Sequence, residues 1–277
     1  MCLIWGTTWM AIKIGLNTLT PFFSLGMRYI TAGICLAVYL WVVDRKITLD
    51  RRQLKLLILI TLFNYIVPYS LVYWAEQFIY SDITSVIFAM LPINVAILSF
   101  LFYKEEKFTF YDLLGILISF AGILIIFSET IFKSTGFHLY GMIAVYFSSL
   151  SQAVMTIILK KYKGKYHPLK INLFPILLTG ILITGFSFGI ENLNNNTITL
   201  SGIISIFYLS IFGTVIAFAL YFWLIGQIKL SLVSSMAYIL PIIAIFVGWI
   251  FLNEKLSDIQ LSGSAMVLGG VFITIKK

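Results

Sequence analysis

Apolar residues run along the chain in ten long blocks, each closed by a short polar stretch. The blocks lie near 2–18, 21–43, 54–75, 82–103, 110–128, 138–159, 168–190, 200–226, 230–252 and 258–275. A helix needs about 20 apolar residues to cross a hydrocarbon core of about 30 Å, and the blocks come close to that length. A transmembrane barrel would instead show segments of about ten residues that alternate in polarity. The pattern therefore predicts an all-α polytopic membrane protein with ten transmembrane helices, and the short connections make neighbouring helices antiparallel.

Composition strengthens this reading. Of 277 residues, 60% are hydrophobic and 11% are charged, against about 45–50% and about 25% in soluble domains. That excludes a soluble enzyme, a disordered chain and a disulfide-rich module. The net charge of +8 would suggest nucleic acid if the basic residues shared one soluble face. They lie instead in clusters between apolar blocks, so no nucleic-acid partner is expected. Cys2 and Cys35 both lie inside apolar blocks and give no disulfide framework. His138 and His167 fall at block ends, which leaves no zinc-protease motif. No metal or cofactor is expected. No basic stretch precedes the first apolar block, as a cleavable signal peptide would require.

The basic clusters set the orientation, because cytoplasmic loops are enriched in Lys and Arg. Fifteen of the nineteen basic residues fall on one side. They are Arg45, Lys46, Arg51, Arg52 and Lys55 after block two, Lys104 and Lys107 after block four, five lysines from Lys160 to Lys170, Lys229, Lys276 and Lys277. The other side has Lys133 and Lys255, while Lys13 and Arg28 lie within blocks. Even-numbered loops and both termini are therefore expected in the cytoplasm, with the chain in the bacterial cytoplasmic (inner) membrane.

The sequence also repeats itself. Trp74, Ser85 and Leu91-Pro92 recur at an offset of 149 as Trp223, Ser234 and Leu240-Pro241. One residue is then lost, and Glu106-Lys107, Gly115 and Gly122 recur at an offset of 148 as Glu254-Lys255, Gly263 and Gly270. The repeats span 1–130 and 138–277, form a single integrated membrane domain and hold five helices each. An odd number of spans inserts the copies in opposite directions, an architecture common among secondary transporters.

At these residues the chain resembles the EamA family of the drug/metabolite transporter superfamily. The opening Trp5-Gly6-Thr7-Thr8-Trp9, Lys13, Pro21 and Arg28 resemble its first two helices. Phe212-Gly213-Thr214, Tyr221-Phe222-Trp223, Pro241, Glu254-Lys255-Leu256, Gly263 and Gly269-Gly270 continue the likeness. The resemblance implies ten helices and a substrate cavity near the midplane between the halves, and it brings Trp5 and Thr8 among the candidate binding residues. It also implies export of amino acids, related metabolites or drugs, with uptake the alternative within the superfamily.

Charges within a span are costly and mark functional candidates. Arg28 lies about 10 Å inside span two and could attract a substrate carboxylate, or else bond backbone carbonyls or snorkel. Lys13 faces the same choice. Tyr65, Tyr69 and Tyr73 share one helical face, with Asn64 beside it, and Tyr221 lies in the matching span eight. Tyr69, Tyr73 and Tyr221 are cavity candidates, the alternative being packing. Gln152 lies in a polar stretch of span six and must satisfy its amide. Pro92 and Pro241 interrupt spans four and nine and are expected to kink them as hinges, with Asn94 and Tyr238 nearby as candidate cavity groups. Gly115, Gly122, Gly263 and Gly270 suit close helix packing, or a homodimer seam; the protein is expected as a monomer or a homodimer.

No acidic residue falls in the middle of a span: Glu76, Asp82, Asp112, Glu129, Glu191 and Asp258 all sit at ends. An intramembrane carboxylate relay is therefore not expected. The paired aspartates, metal site or activated serine of a membrane enzyme are missing too. The expected function is a secondary transporter of small metabolites working by alternating access; a passive channel is the reading from another class.

Overall fold

The computed structural model describes residues 1–43, 53–79, 81–102, 108–126, 128, 138–162, 165–252 and 258–275. Most of the basic residues that set the orientation, from Arg45, Lys46, Arg51 and Arg52 to Lys104, Lys107, Lys133, Lys163, Lys255, Lys276 and Lys277, lie outside the described residues. So do Glu106, Glu129, Glu254 and Leu256. The described residues are helical, without a strand.

The helices follow the apolar blocks closely. They are α1 (Cys2–Leu16), α2 (Pro21–Val43), α3 (Leu54–Ala75), α4 (Ser81–Phe88), α5 (Leu91–Phe102), α6 (Phe110–Ile126), α7 (His138–Lys161), α8 (Pro168–Ile190), α9 (Leu200–Gln227), α10 (Leu230–Leu252) and α11 (Asp258–Ile275). Among the described residues α2, α3, α8, α9 and most of α7 are long and apolar enough to cross a membrane. Others, such as α1, α5 and α6, are apolar but shorter. Large apolar side chains face outward, Trp41 at 69% exposure and Phe100 at 85%, as a hydrocarbon surrounding permits.

Helix ends are set by local chemistry. Thr109 and Asp112 form a capping box for α6: the Asp112 carboxylate accepts from the Thr109 backbone N–H at 2.7 Å, and the Thr109 hydroxyl accepts from the Asp112 N–H at 3.3 Å. The start of α2 is capped from another helix. Glu191, just past α8, accepts from the Phe22 and Phe23 N–H groups and the Thr20 hydroxyl, each at 2.9 Å. Those N–H groups have no intrahelical acceptor, and a negative charge is favoured there.

The two prolines behave differently. Before Pro92 the helix stops at Phe88, and a turn at Ala89–Met90 separates α4 from α5, since Pro92 has no N–H for the Phe88 carbonyl and its ring would press on it in a continuous helix. Pro241 sits inside α10 without a break. Spans three and eight share a feature that periodicity does not predict: each contains a π-helical segment, Thr61–Ile66 in α3 and Ile211–Ile216 in α9. In α3 the wide turn precedes Pro68, whose ring would press on the Asn64 carbonyl in a regular helix. In α9 no proline is present, and the Thr214 hydroxyl instead bonds the Leu209 carbonyl five residues back at 2.8 Å.

The packing pairs each helix with the other half of the chain. Helix α1 lies on α9 and α10, and α7 lies on α3 and α5. Helix α2 packs on α8, and α6 on α11. Exchanging α1 for α7, α2 for α8, α3 for α9, α5 for α10 and α6 for α11 reproduces the same pairs. Glycines bring α6 and α11 into backbone contact. A Cβ at Gly115 would lie 2.5 Å from the Gly270 carbonyl oxygen, and one at Gly122 would lie 2.7 Å from that of Gly263. The order of these contacts makes the two helices antiparallel. Gly26 against Thr184 and Gly33 against Leu177 do the same for α2 and α8. The four glycines first considered for packing or a dimer seam are thus used inside the chain.

Candidate functional site

Between the halves lies a small central cavity. Its wall is formed by Trp5, Thr8, Trp9 and Ile12 of α1, Tyr69 and Val72 of α3, Phe88 and Leu91 at the span-four break, Ser148 and Gln152 of α7, Tyr221 of α9 and Leu240 of α10. The first helix of each half thus faces the third helix of the other across one space. Aromatic edges close it: Trp5 meets Phe218 and Tyr221 at 5.3 and 5.2 Å between ring centroids, and Trp9 meets Phe88 at 5.5 Å. The free space is about 30 Å³, room for one or two waters. A metabolite therefore enters only when these helices part.

Several polar atoms on this wall are buried without a hydrogen-bond partner: Trp9 Nε1, Ser148 Oγ and Gln152 Oε1. Each such atom costs about 1–3 kcal/mol in a dry interior, so a polar solute or water in the cavity would relieve it. The Gln152 amide nitrogen donates to Asn64 Oδ1 at 3.0 Å, which joins α7 to the π segment of α3. The Tyr221 and Thr156 hydroxyls bond each other.

Behind Tyr69 lies Arg28, 1% exposed. Its guanidinium sits 4.9 Å from the Tyr69 ring centroid and 5.4 Å from that of Tyr29, within cation–π range. Nε donates to Thr214 Oγ1 at 3.0 Å, Nη1 to the Tyr73 hydroxyl at 3.4 Å and Nη2 to the Gly213 carbonyl at 3.4 Å. Among the described residues no carboxylate forms an ion pair with it. A guanidinium has five N–H donors; the bonds to Thr214, Tyr73 and Gly213 occupy three, and Tyr69 is a further side-chain hydrogen-bond partner. Of the sequence alternatives for Arg28, the structure shows the bond to a backbone carbonyl, behind the Tyr69 ring that lines the cavity.

The π segments explain which carbonyls are available. The Gly213 carbonyl, within the α9 segment, accepts from Trp5 Nε1 at 3.2 Å as well as from Arg28. In α3 the Phe63 carbonyl accepts from the Ser151 hydroxyl at 2.9 Å. In both halves, then, a side chain of the opposite half's first helix holds a carbonyl of the π segment.

The structure does not gather all the sequence candidates. Trp5, Thr8, Tyr69, Gln152 and Tyr221 line the cavity, and Asn64 contacts it through Gln152. Tyr73 stands behind, on Arg28. Asn94 donates to Ser149 Oγ at 3.1 Å, tying α5 to α7 outside the cavity wall. Tyr238 is buried in a separate apolar cluster with Ile116 and Ile123. Trp9 and Ser148 are wall residues that sequence reasoning left out, although the Trp5-Gly6-Thr7-Thr8-Trp9 motif and the α1 helical spacing were signals for Trp9. Among the described residues no cluster of three His, Cys, Asp or Glu could hold a metal.

A second, wider space of about 400 Å³ opens at one end of the bundle. Lys13, Asn17, Thr18, Thr20, Glu76, Gln77 and Asn195 border it. Lys13 Nζ donates to the Glu76 backbone carbonyl at 2.7 Å. Glu76 follows α3 directly, and its side chain is fully buried, which sequence position alone did not reveal.

The EamA-like transporter family model matches residues 1–128 and again 139–276. The chain is 26% identical over 271 residues to the uncharacterized transporter YoaV of Bacillus subtilis, covering 98% of this chain and 92% of that protein. It is 27% identical to protein PagO of Salmonella typhimurium, covering 99% and 90%. It is 30% identical over 282 residues to the uncharacterized inner membrane transporter YedA of Escherichia coli, covering 99% and 88%. One crystal structure shares the fold, with a TM-score of 0.83 at 14% identity over 98% of this chain and 92% of its own.

Proposed function

The chain belongs to the EamA-like transporter family, and on that footing we propose that it is a secondary transporter exporting small metabolites, amino acids or related compounds with a carboxylate, across the cytoplasmic membrane. Ten spans form two inverted five-helix repeats, 1–130 and 138–277, with both termini in the cytoplasm. The antiparallel pairing of α2 with α8 and of α6 with α11 supports inversion, because each pair joins equivalent helices of the two halves. Exchange of conformation between the halves opens the central cavity first to one side and then to the other. Trp5, Thr8, Tyr69, Gln152 and Tyr221 hold the solute, and Arg28 attracts its carboxylate.

The observation that carries this reading is Arg28: a buried guanidinium that has no carboxylate partner among the described residues, one ring away from a closed aromatic cavity between the two halves. A purely structural charge in a hydrocarbon setting would be expected to be paired with an opposite charge. The test is counterflow in proteoliposomes with a panel of amino acids and their amides. Saturable counterflow favouring the carboxylates supports the proposal. Unsaturable flux without counterflow would indicate a channel and refute it.

A further inference from the structure

The wider space at one end of the bundle, a vestibule, brings together the charged residues Lys13 and Glu76 away from the central cavity. Glu76 borders the vestibule, and both carboxylate oxygens are buried with no hydrogen-bond donor. The nearby ammonium of Lys13 is committed to the Glu76 backbone carbonyl instead. On α3 and the residue that caps it, one face carries Glu76 at the vestibule, Tyr73 on Arg28, and Tyr69 on the cavity wall. Glu76 thus stands one helical turn from the group that meets Arg28.

An ionised carboxylate without donors in a dry setting is far costlier than a neutral acid. Two arrangements relieve the cost. The acid form needs no cation, and leaves Lys13 on the carbonyl as observed. The ionised form draws the Lys13 ammonium off the carbonyl onto the carboxylate oxygens. We propose that Glu76 is a proton-binding site: when the side chain opens to the vestibule, a hydronium ion gives its proton to a carboxylate oxygen, leaves as water, and Lys13 returns to the backbone carbonyl. Burial holds this carboxyl well above the ordinary carboxylate range, while the positive charges of Lys13 on α1 and Arg28 on α2 act in the opposite direction. The phenol of Tyr73, on its own helix, is the other titratable group that senses it.

Protonation changes the charge that an entering anion meets. With Glu76 ionised, Lys13, Glu76 and Arg28 sum to one positive charge; with Glu76 neutral they sum to two. Solute carboxylates are therefore attracted more strongly to the protonated vestibule, and the proton and the anion favour each other's binding. This coupling rests on the transport reading above. The proton site itself does not.

The experiment is an infrared pH titration of the purified protein in lipid, with no solute added. The expected result is a protonated-carboxyl C=O band, shifted in D2O, that persists above the ordinary carboxylate range and is lost in Glu76→Gln. In Lys13→Met the same band should titrate at higher pH, because the opposing cation is gone. No such band in the wild-type protein, or a band unchanged in Glu76→Gln, overturns the proposal. A Lys13→Met titration identical to wild type also overturns it, and this arm needs no Glu76 variant to fold. A band that behaves as expected in a protein that shows no counterflow would keep the proton site and remove the transport function.

Discussion

Replacing Arg28 by Met keeps most of the side-chain volume and removes the charge and all five donors. The surroundings tolerate the loss better than burial alone suggests. The Gly213 carbonyl keeps the Trp5 indole, and the Thr214 hydroxyl keeps its bond to the Leu209 carbonyl. Folding should survive. What disappears is the buried positive charge behind the cavity wall, with the N–H donors proposed to turn toward a solute carboxylate. A net hydrogen bond to a charged group is worth about 1.5–3 kcal/mol; loss of even one weakens apparent affinity roughly 10- to 150-fold. The expected outcome is a rise of that size in the half-saturating concentration for carboxylate solutes, with under about threefold change for the matching amides. Arg28→Lys should recover part of the loss, because the cation returns without its planar fork. Counterflow in proteoliposomes measures both, with reconstituted protein matched by size-exclusion profile. An equal loss for carboxylates and amides in a well-folded protein would refute the assignment of Arg28 to the solute.

Gly270→Ala places a Cβ 2.5 Å from the Gly115 carbonyl oxygen, whereas Gly269→Ala meets nothing within 4 Å. Thermal unfolding in detergent should show a loss of about 1–3 kcal/mol for the first and almost none for the second; similar values for both would contradict the α6–α11 contact. Glu191→Gln keeps the shape of the cap on α2 but removes its charge. A loss of about 0.3–1 kcal/mol is expected, measurable by the same unfolding assay and shrinking as salt is raised. Because burial lifts the Glu76 carboxyl above its unfolded value of 4.5, its contribution to stability is fully present below pH 4.5 and is lost as pH rises through the folded-state value. Stability followed against pH should therefore fall over that range in the wild-type protein, and Glu76→Gln should flatten this part of the curve.

The membrane spans were legible because every apolar run long enough to matter becomes a helix in hydrocarbon, where no other open arrangement satisfies the backbone. At Pro92 the sequence predicts a kink, and the structure has a full break in span four at residues 89–90, where Pro92 removes the donor for Phe88. Pro241 looks identical in sequence, yet α10 runs through it without a break. The π segments were illegible. They depend on Pro68 in one helix and on the Thr214 hydroxyl in the other, and neither shifts the apolar periodicity. Of the site, the stripe of Tyr69 and Tyr73 and the cost of Arg28 could be read directly. Asn94 and Tyr238 were drawn in by their closeness to prolines in the chain, but helix rotation turns one onto Ser149 and the other into an apolar cluster. Glu76 was passed over because position along a span is a poor guide to burial at its end.

The two π-segment carbonyls are held unequally. That of Gly213 grips an indole and a guanidinium, while that of Phe63 grips a single hydroxyl. If the halves were identical, the two end states of the proposed cycle would be related by a two-fold rotation and equal in energy, and an empty carrier would favour neither. With one latch stronger than the other, the proposed alternating-access cycle would give the empty protein a preferred resting posture. A solute carboxylate that drew the guanidinium off Gly213 would loosen the stronger latch and leave the weaker one untouched. Cargo would then do more than occupy the cavity: it would level a tilted balance, making the loaded carrier the one that turns over readily.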